Sequence, residues 1–337
     1  MLTVTLGKTG ITVNKNGFGA LPIQRITRAD AAKLLRKAYD HDITYFDTAR
    51  AYSDSEEKIG YALSDVRKHI FIATKSMATN AKELRADLEQ SLRLLKTDYI
   101  DIYQFHNPAF VPRPGGKDGL YEEALKAKEE GKIRFIGITN HRWHVAEEAI
   151  ASGLFSTLMF PFSYLAGEKD YPLVENCKKA HMGFISMKAL SGGLITNAAA
   201  AFAFQAQYDN ALPIWGVQRE KELDEFLQFQ ENPPALTPEL EAVIAKDKQE
   251  LQGNFCRGCG YCLPCPAGIN IPLAARMSLM LRRAPVKAYT TPEIQENMKK
   301  IENCLHCNHC KNNCPYGLDT PTLLQANYAD YQTFLNK

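Results

Sequence analysis

The sequence predicts an α/β protein: a (β/α)8 TIM barrel entered through an N-terminal β-hairpin and followed by a small, mostly α-helical domain. Three observations carry that expectation. Between Asn16 and about Gln230, short apolar runs alternate with longer amphipathic ones, the pattern of repeated βα units. Eight such units fit into about 215 residues, and a barrel of this kind needs roughly 200 or more. Eight of the nine cysteines then crowd into two runs beyond residue 255, where the alternation has ended. The rival architecture, a doubly wound open sheet, normally carries a glycine-rich phosphate turn after its first strand. Gly17-Phe18-Gly19-Ala20-Leu21-Pro22 lacks both the third glycine and the following helix.

The elements follow in order. Val4 to Val13 alternates around Gly7-Lys8-Thr9-Gly10 and reads as a β-hairpin that caps the barrel floor. Strands are expected at Gly17 to Pro22, Thr44 to Thr48, Ile70 to Thr74, Ile100 to Phe105, Phe135 to Thr139, Thr157 to Phe162, Phe184 to Lys188 and Leu212 to Gly216. Among the helices, the one after Asn80 is clearest. Asn80 is placed to cap it, Glu83 lies three residues on, and Leu84, Leu88, Leu92 and Leu95 recur at helical spacing. Another opens at Ser53, with Glu56 in capping-box register. Asn232-Pro233-Pro234 and Thr237-Pro238-Glu239 mark a linker and a fresh helix start, which assigns 1–232 to the barrel and 233–337 to the second domain. Within the latter, Ile271 to Arg283 and Pro292 to Ile301 read as helices separated by Ala284-Pro285.

Composition removes several function classes. A chain of 337 residues, 45% hydrophobic, has material for one large core and a small one. A formal charge of +2, with no basic run of five or more, argues against a nucleic-acid partner. The greasiest stretches are broken by Pro161 or by Gln205 and Gln207, too soon to cross a bilayer, so no membrane partner is expected. Dense cysteine, with no secretory pattern in Met1 to Gly10, leads to the expectation of a reducing, cytoplasmic compartment.

The cysteine runs are Cys256-x2-Cys259-x2-Cys262-x2-Cys265-Pro266 and Cys304-x2-Cys307-x2-Cys310-x3-Cys314-Pro315. The second reproduces the bacterial ferredoxin spacing, in which three close thiolates grip one iron–sulfur cubane and the fourth, ahead of proline, reaches the other. That rule gives Cys256, Cys259, Cys262 and Cys314 to one cluster, and Cys304, Cys307, Cys310 and Cys265 to a second. Zinc would instead take four ligands in pairs separated by a loop, whereas here each run holds four cysteines. The 38 residues between Cys265 and Cys304 exceed a compact ferredoxin's spacing and point to a helical, ferredoxin-like module.

Catalytic groups of a (β/α)8 enzyme gather where strands end. Here strand two ends at Asp47 with Tyr52 in the following loop, strand three at Lys75, and strand four at His106. These four make a coherent proton-donor site. A tyrosine near its ordinary pKa of about 10 is a reluctant acid, and an adjacent ammonium stabilises its phenolate. Lys75 supplies that charge, Asp47 holds it in place, and His106 orients a carbonyl oxygen. Carbonyl reduction suits the set, with a small-molecule carbonyl substrate and Tyr52 as the proton donor.

The segments Asp47-Thr48-Ala49-Arg50-Ala51-Tyr52-Ser53-Asp54-Ser55-Glu56, Ala73-Thr74-Lys75, Phe105-His106 and Gly137-Ile138-Thr139-Asn140 resemble the aldo-keto reductase superfamily. Leu6-Gly7-Lys8-Thr9-Gly10 and Gly131-Lys132-Ile133-Arg134 fit it too. With Met187-Lys188-Ala189-Leu190 and the two cysteine runs, the chain is similar to a branch carrying a C-terminal 4Fe-4S ferredoxin-type domain. The resemblance implies NADP or NAD as hydride donor, Asp47, Tyr52, Lys75 and His106 as catalytic tetrad, and Thr139 and Asn140 at the nicotinamide carboxamide. It places Met187 where many members stack a tyrosine on the ring. After strand eight the candidate cofactor contacts are Gly216, Arg219 and Glu225, with Gln218 and Lys221 as alternatives to Arg219. There the chain departs from the family's NADP-binding pattern of basic and hydroxyl residues, carrying Gly216, Val217, Glu222 and Phe226 and retaining only Glu225; Arg219 is the best-placed substitute for the lost arginine. Two readings follow. The chain is a carbonyl-reducing oxidoreductase with two 4Fe-4S clusters for electron transfer or structure, or an iron–sulfur electron-transfer protein whose barrel binds a substrate or a redox partner protein without using NAD(P)H.

Overall fold

A computed structural model describes residues 1–251, 255–283 and 286–336. The chain divides into two compact units, Met1–Leu190 with Asn197–Ile244, and Ser191–Thr196 with Ala245–Lys337. The change of unit falls inside the helix Pro238–Glu250.

In the first unit, β1 (Thr3–Thr5) and β2 (Thr12–Asn14) form the expected antiparallel hairpin. Eight strands follow: β3 (Gly17–Gly19), β4 (Tyr45–Asp47), β5 (Phe71–Ser76), β6 (Ile100–His106), β7 (Ile133–Thr139), β8 (Thr157–Pro161), β9 (Gly183–Met187) and β10 (Ala211–Gly216). They close a barrel in the order β10-β3-β4-β5-β6-β7-β8-β9, and each neighbouring pair is parallel. All eight expected strands are present. The first is shorter than expected because Pro22 opens a 3-10 turn, Pro22–Arg25. Val4, Leu6, Ile11 and Val13 of the hairpin pack into one apolar cluster with Tyr45, Ala73, Ile102, Met159, Ile185 and Leu212. The hairpin thus seals one end of the barrel and leaves the strand C-termini as its mouth.

The helix Ala81–Leu95 forms as its pattern demands. Asn80 Oδ1 accepts from Glu83 N at 3.0 Å, and Leu84, Leu88, Leu92 and Leu95 are buried. Each buried leucine is worth about 1.5–3 kcal/mol. The helix after β4 corrects an expectation. It spans Ser55–Leu63 with Asp54 at its start and no side-chain cap bond. Ser53 has φ +39, outside the helix, and its hydroxyl donates to Gln24 Oε1 at 3.2 Å. Glu56, expected to reach back as a cap, turns inward instead. Its Oε1 accepts from Thr74 Oγ1 and Ser91 Oγ, each at 2.7 Å, and Arg50 pairs with Oε2. Three donors in the interior satisfy a carboxylate better than two helix-end N–H groups facing water.

The second unit contains the helices Ile271–Ala274, Met277–Arg283, Pro292–Lys299 and Thr320–Leu335. The expected break at Ala284-Pro285 lies outside the described residues. Ile271, Met277, Leu281, Met298, Ile301 and Leu324 form its core. Asn327 stitches two of the helices, its Oδ1 accepting from Ser278 N at 2.8 Å. Among the described residues, no helix is long and apolar enough to cross a membrane.

Candidate active site and cluster cavities

The barrel brings the four expected residues together. Lys75 and Gln104 are direct partners across β5 and β6, so both side chains lie on one face, while Asp47 ends the neighbouring β4. Lys75 Nζ donates to Asp47 Oδ1 at 2.5 Å and to the Thr48 carbonyl at 2.6 Å. Two of the ammonium's three donors are thereby used. The ammonium also lies over the Tyr52 ring, with Nζ 5.2 Å from its centroid. The imidazole of His106 meets the Tyr52 ring edge-on, centroids 6.0 Å apart.

Burial sets the electrostatics. Asp47 is 2% exposed and Lys75 1%. Desolvation drives each toward its neutral form, raising Asp47 and lowering Lys75, and the attraction between them opposes both shifts. Gln104 Nε2, donating to Asp47 Oδ2 at 3.3 Å, holds the carboxylate's other oxygen. His106 is pulled down to about 3, by burial first and then by the Lys75 ammonium. At neutral pH the ring is therefore uncharged, with one N–H to donate. Its buried Nδ1 has no partner among the described residues. A phenol ring, an ammonium against it and a neutral imidazole at its edge are thus gathered at the strand ends.

Three neighbours of the ion pair escape the sequence reading. Gln104 sits two residues before His106 and so shares its face of β6, a period-2 signal that was available. Glu56 and Arg50 lie behind the ion pair, and Arg50 N donates to the Lys75 carbonyl at 2.9 Å. Only a tertiary contact reveals that role.

The residues expected to hold a nicotinamide dinucleotide are less uniform. Thr139 is buried at the end of β7 and Met187 half-buried at the end of β9. Asn140 is committed to the backbone: Nδ2 donates to the Pro108 carbonyl at 2.7 Å, and Oδ1 accepts from His141 N and Arg142 N at 2.9 and 2.8 Å. One amide hydrogen is left for a ligand. Gly216, Arg219 and Glu225 are all exposed. At the start of the helix Glu220–Glu231, Glu222 Oε2 accepts from Gln218 N and Arg219 N at 3.0 and 3.1 Å, while Arg219 Nε donates to Oε1 at 2.7 Å. The chain's own carboxylate thus holds the position and the cation that an anionic ligand would use. These residues do not fit a 2′-phosphate. Cys177, on the helix Tyr171–Lys179, is a fully buried thiol pushed up by desolvation and behaves as a small hydrophobe.

The eight clustered cysteines line two cavities. Cys256, Cys259, Cys262 and Cys314 surround one of about 340 Å3, with Tyr316 at its wall, and Cys265, Cys304, Cys307 and Cys310 surround one of about 360 Å3, open solvent included. Burial raises the Cys262 thiol to about 12, with Cys256 and Cys259 adding to the shift; burial also raises Cys310, beside Cys304 and Cys265. Gly258 N donates to Cys256 Sγ at 3.3 Å. Among the described residues, no three Cys, His, Asp or Glu side chains converge closely enough for a single ion. Four cysteines line each cavity, the ligand number that a four-iron cubane takes.

Residues 15–201 match the aldo/keto reductase family, and residues 255–319 match a 4Fe-4S dicluster domain, which brings two clusters to a region with eight cysteines. The chain is 30% identical over 216 residues to the L-galactose dehydrogenase of Arabidopsis thaliana, covering 57% of itself and 66% of that protein. It is 28% identical to the aldo-keto reductase YhdN of Bacillus subtilis, covering 57% and 63%. The chain thus spans a little under two thirds of the length of these curated relatives. An aldo-keto reductase from Bacillus halodurans shares the fold with a TM-score of 0.65 at 21% identity, over 73% of this chain and 96% of that one. One from Klebsiella pneumoniae, in complex with NADPH, shares it with a TM-score of 0.61 at 21% identity, over 73% and 94%.

Proposed function

We propose, from the premise that the chain belongs to the aldo/keto reductase family, that its barrel interconverts a small carbonyl compound and its alcohol, with Tyr52 exchanging the proton at the substrate oxygen. The observation that carries this reading is the buried Lys75–Asp47 pair under the Tyr52 ring. Asp47 and the Thr48 carbonyl fix the ammonium, the ammonium stabilises a Tyr52 phenolate, and neutral His106 donates to the oxygen and orients it. The chemistry a nicotinamide dinucleotide supplies when bound is hydride donation. Thr139, Met187 and the spare Asn140 hydrogen would hold its ring end. Glu222 opposes a 2′-phosphate, so NADH rather than NADPH suits this chain.

The ligand sets we assign to the two clusters are Cys256, Cys259, Cys262 with Cys314, and Cys304, Cys307, Cys310 with Cys265. The two cavities support that crosswise sharing. Cubanes pass electrons singly and hydride carries two together, so clusters held by these cysteines would supply one-electron exchange with a redox partner protein rather than directly with the carbonyl. A second reading, an electron-transfer protein that uses no nicotinamide, is favoured by Glu222 at the helix start.

One anaerobic titration of the reconstituted protein with NADH and NADPH, following dinucleotide fluorescence and cluster absorbance, separates the readings. Tighter binding of NADH supports the first; binding of neither, with clusters still reducible by dithionite, decides for the second. Tyr52→Phe should lower carbonyl turnover about 10²–10⁴-fold while both clusters remain. Surviving turnover would remove Tyr52 from its role.

A further inference from the structure

Residues 191–196 leave the barrel unit just after β9 and belong with the cluster unit, where two arginines hold them by their backbone. Arg283 Nη1 donates to the Leu194 carbonyl at 2.9 Å, while its Nη2 pairs with Asp247 and Glu250 at 2.7 Å each. Arg276 Nη2 donates to the Gly192 carbonyl at 2.5 Å. The same guanidinium lies against Gly258, between Cys256 and Cys259. A Cβ on Gly258 would stand 2.8 Å from Arg276 Nη1, and one on Gly192 would stand 3.3 Å from it. Both glycines have positive φ, +63° and +65°, so backbone conformation and close approach require glycine at each. One cation therefore touches the turn that carries two cluster cysteines and the segment that continues from β9. That strand ends at the half-buried Met187, and Lys188 follows it with φ +55°.

We propose that Arg276 is a positioning residue that links the charge of the cluster at Cys256, Cys259, Cys262 and Cys314 to the ordering of segment 191–196. When that cluster takes up one electron from a one-electron reductant, the redox partner protein, no bond is made or broken and one negative charge is added to the cavity whose Cys256–Cys259 turn the guanidinium touches. The charge fixes the guanidinium, and with it the bond to the Gly192 carbonyl. Reciprocally, whatever orders the segment favours the reduced cluster. The electron count of the cluster module thus reaches the chain that leaves the end of β9, without electrons passing to the substrate. The proposal rests on the ligand assignment above, which cysteine variants test separately.

The test uses the full chain with both clusters. Midpoint potentials are read by EPR-monitored titration with dithionite and mediators, and backbone order by amide hydrogen exchange in the oxidised and reduced states. In the native protein, exchange over 191–196 should slow on reduction. Arg276→Gln should shift one cluster's equilibrium about tenfold toward oxidised, 59 mV lower for a one-electron couple, leave the other cluster in place, and abolish the redox dependence of exchange. Arg276→Lys should keep most of the potential. Two further variants separate the linked effects. Arg283→Gln, which removes the bond to the Leu194 carbonyl but leaves the Arg276 charge in place, should loosen 191–196 and lower the potential in the same direction as Arg276→Gln, by a smaller amount. Arg257→Gln, whose guanidinium stacks 4.5 Å from the Tyr316 ring centroid, should shift the potential and leave exchange over 191–196 redox-dependent. Unchanged or faster exchange on reduction of the native protein, or an unshifted potential in Arg276→Gln, would overturn the proposal.

Discussion

Replacing Lys75 by methionine tests the ion pair at the centre of the barrel mouth. Lys75 and Asp47 are almost wholly buried, so the variant leaves a carboxylate away from water with a single neutral donor, Gln104 Nε2 at 3.3 Å. Breaking a buried pair in this way costs about 3–5 kcal/mol, a large share of the roughly 5–15 kcal/mol that holds a typical domain folded. The cost should depend on pH, with a definite sign. Burial raises the folded pKa of Asp47, and without Lys75 nothing charged opposes that rise. The folded variant therefore holds a proton that the unfolded chain releases near 3.9, and its stability falls as pH rises above that value. Lys75→Met should accordingly be least penalised near pH 5 and most penalised at pH 8. Adding Asp47→Asn removes the stranded charge and should recover most of the loss. Both tryptophans, Trp143 and Trp215, lie in the barrel unit, so denaturant unfolding followed by tryptophan fluorescence reports on that unit. A cost below about 1 kcal/mol at pH 8, or no recovery in the double variant, would refute the buried-pair account.

His106 carries a second pH signature. Its folded pKa of about 3 lies below the unfolded value near 6.5, so its contribution is complete above 6.5 and is lost as pH falls toward 3. About 1–2 kcal/mol should be gone by pH 5, and the stability of His106→Gln should show a correspondingly flatter profile between pH 5 and 8. Gly60→Ala should lower barrel stability by about 1–3 kcal/mol, because its Cβ would come within 2.1 Å of the Leu94 carbonyl oxygen; calorimetry of the variant reads the loss directly. For the ligand sets, Cys314→Ser should lose the same EPR signal as Cys256→Ser, and Cys265→Ser the same signal as Cys304→Ser. Matching of Cys314→Ser to Cys304→Ser instead would reverse the assignment.

What the sequence made legible is what chain geometry fixes locally. Strand ends are marked by apolar runs stopping at a polar residue, so Asp47, Lys75 and His106 could be read at three successive exits of the barrel. The leucine spacing from Leu84 to Leu95 specified a helix face, and the capping side chain of Asn80 lies next to the element it ends. Cysteine spacing within each run is local as well. Most of the residues that stayed hidden act across long separations. Glu56 has the spacing of a helix cap, yet Thr74, Ser91 and Arg50 satisfy it better inside the unit, and no short window contains those partners. Gln104 was visible as a residue on the His106 face, while its partner Asp47 lies two strands away. Arg219 has the chemistry of a phosphate ligand and is held by Glu222, three residues on. Segment 191–196 looks like an ordinary connection after β9, and Arg276 and Arg283, which secure it, lie more than eighty residues later. Local pattern therefore sufficed for the chemistry each strand end presents. The partners beyond the strand ends, Glu222 on Arg219 and Arg276 on the Gly192 carbonyl, answer to charge and hydrogen-bond satisfaction in the folded chain, and substitutions there test the proposed dinucleotide preference and cluster linkage.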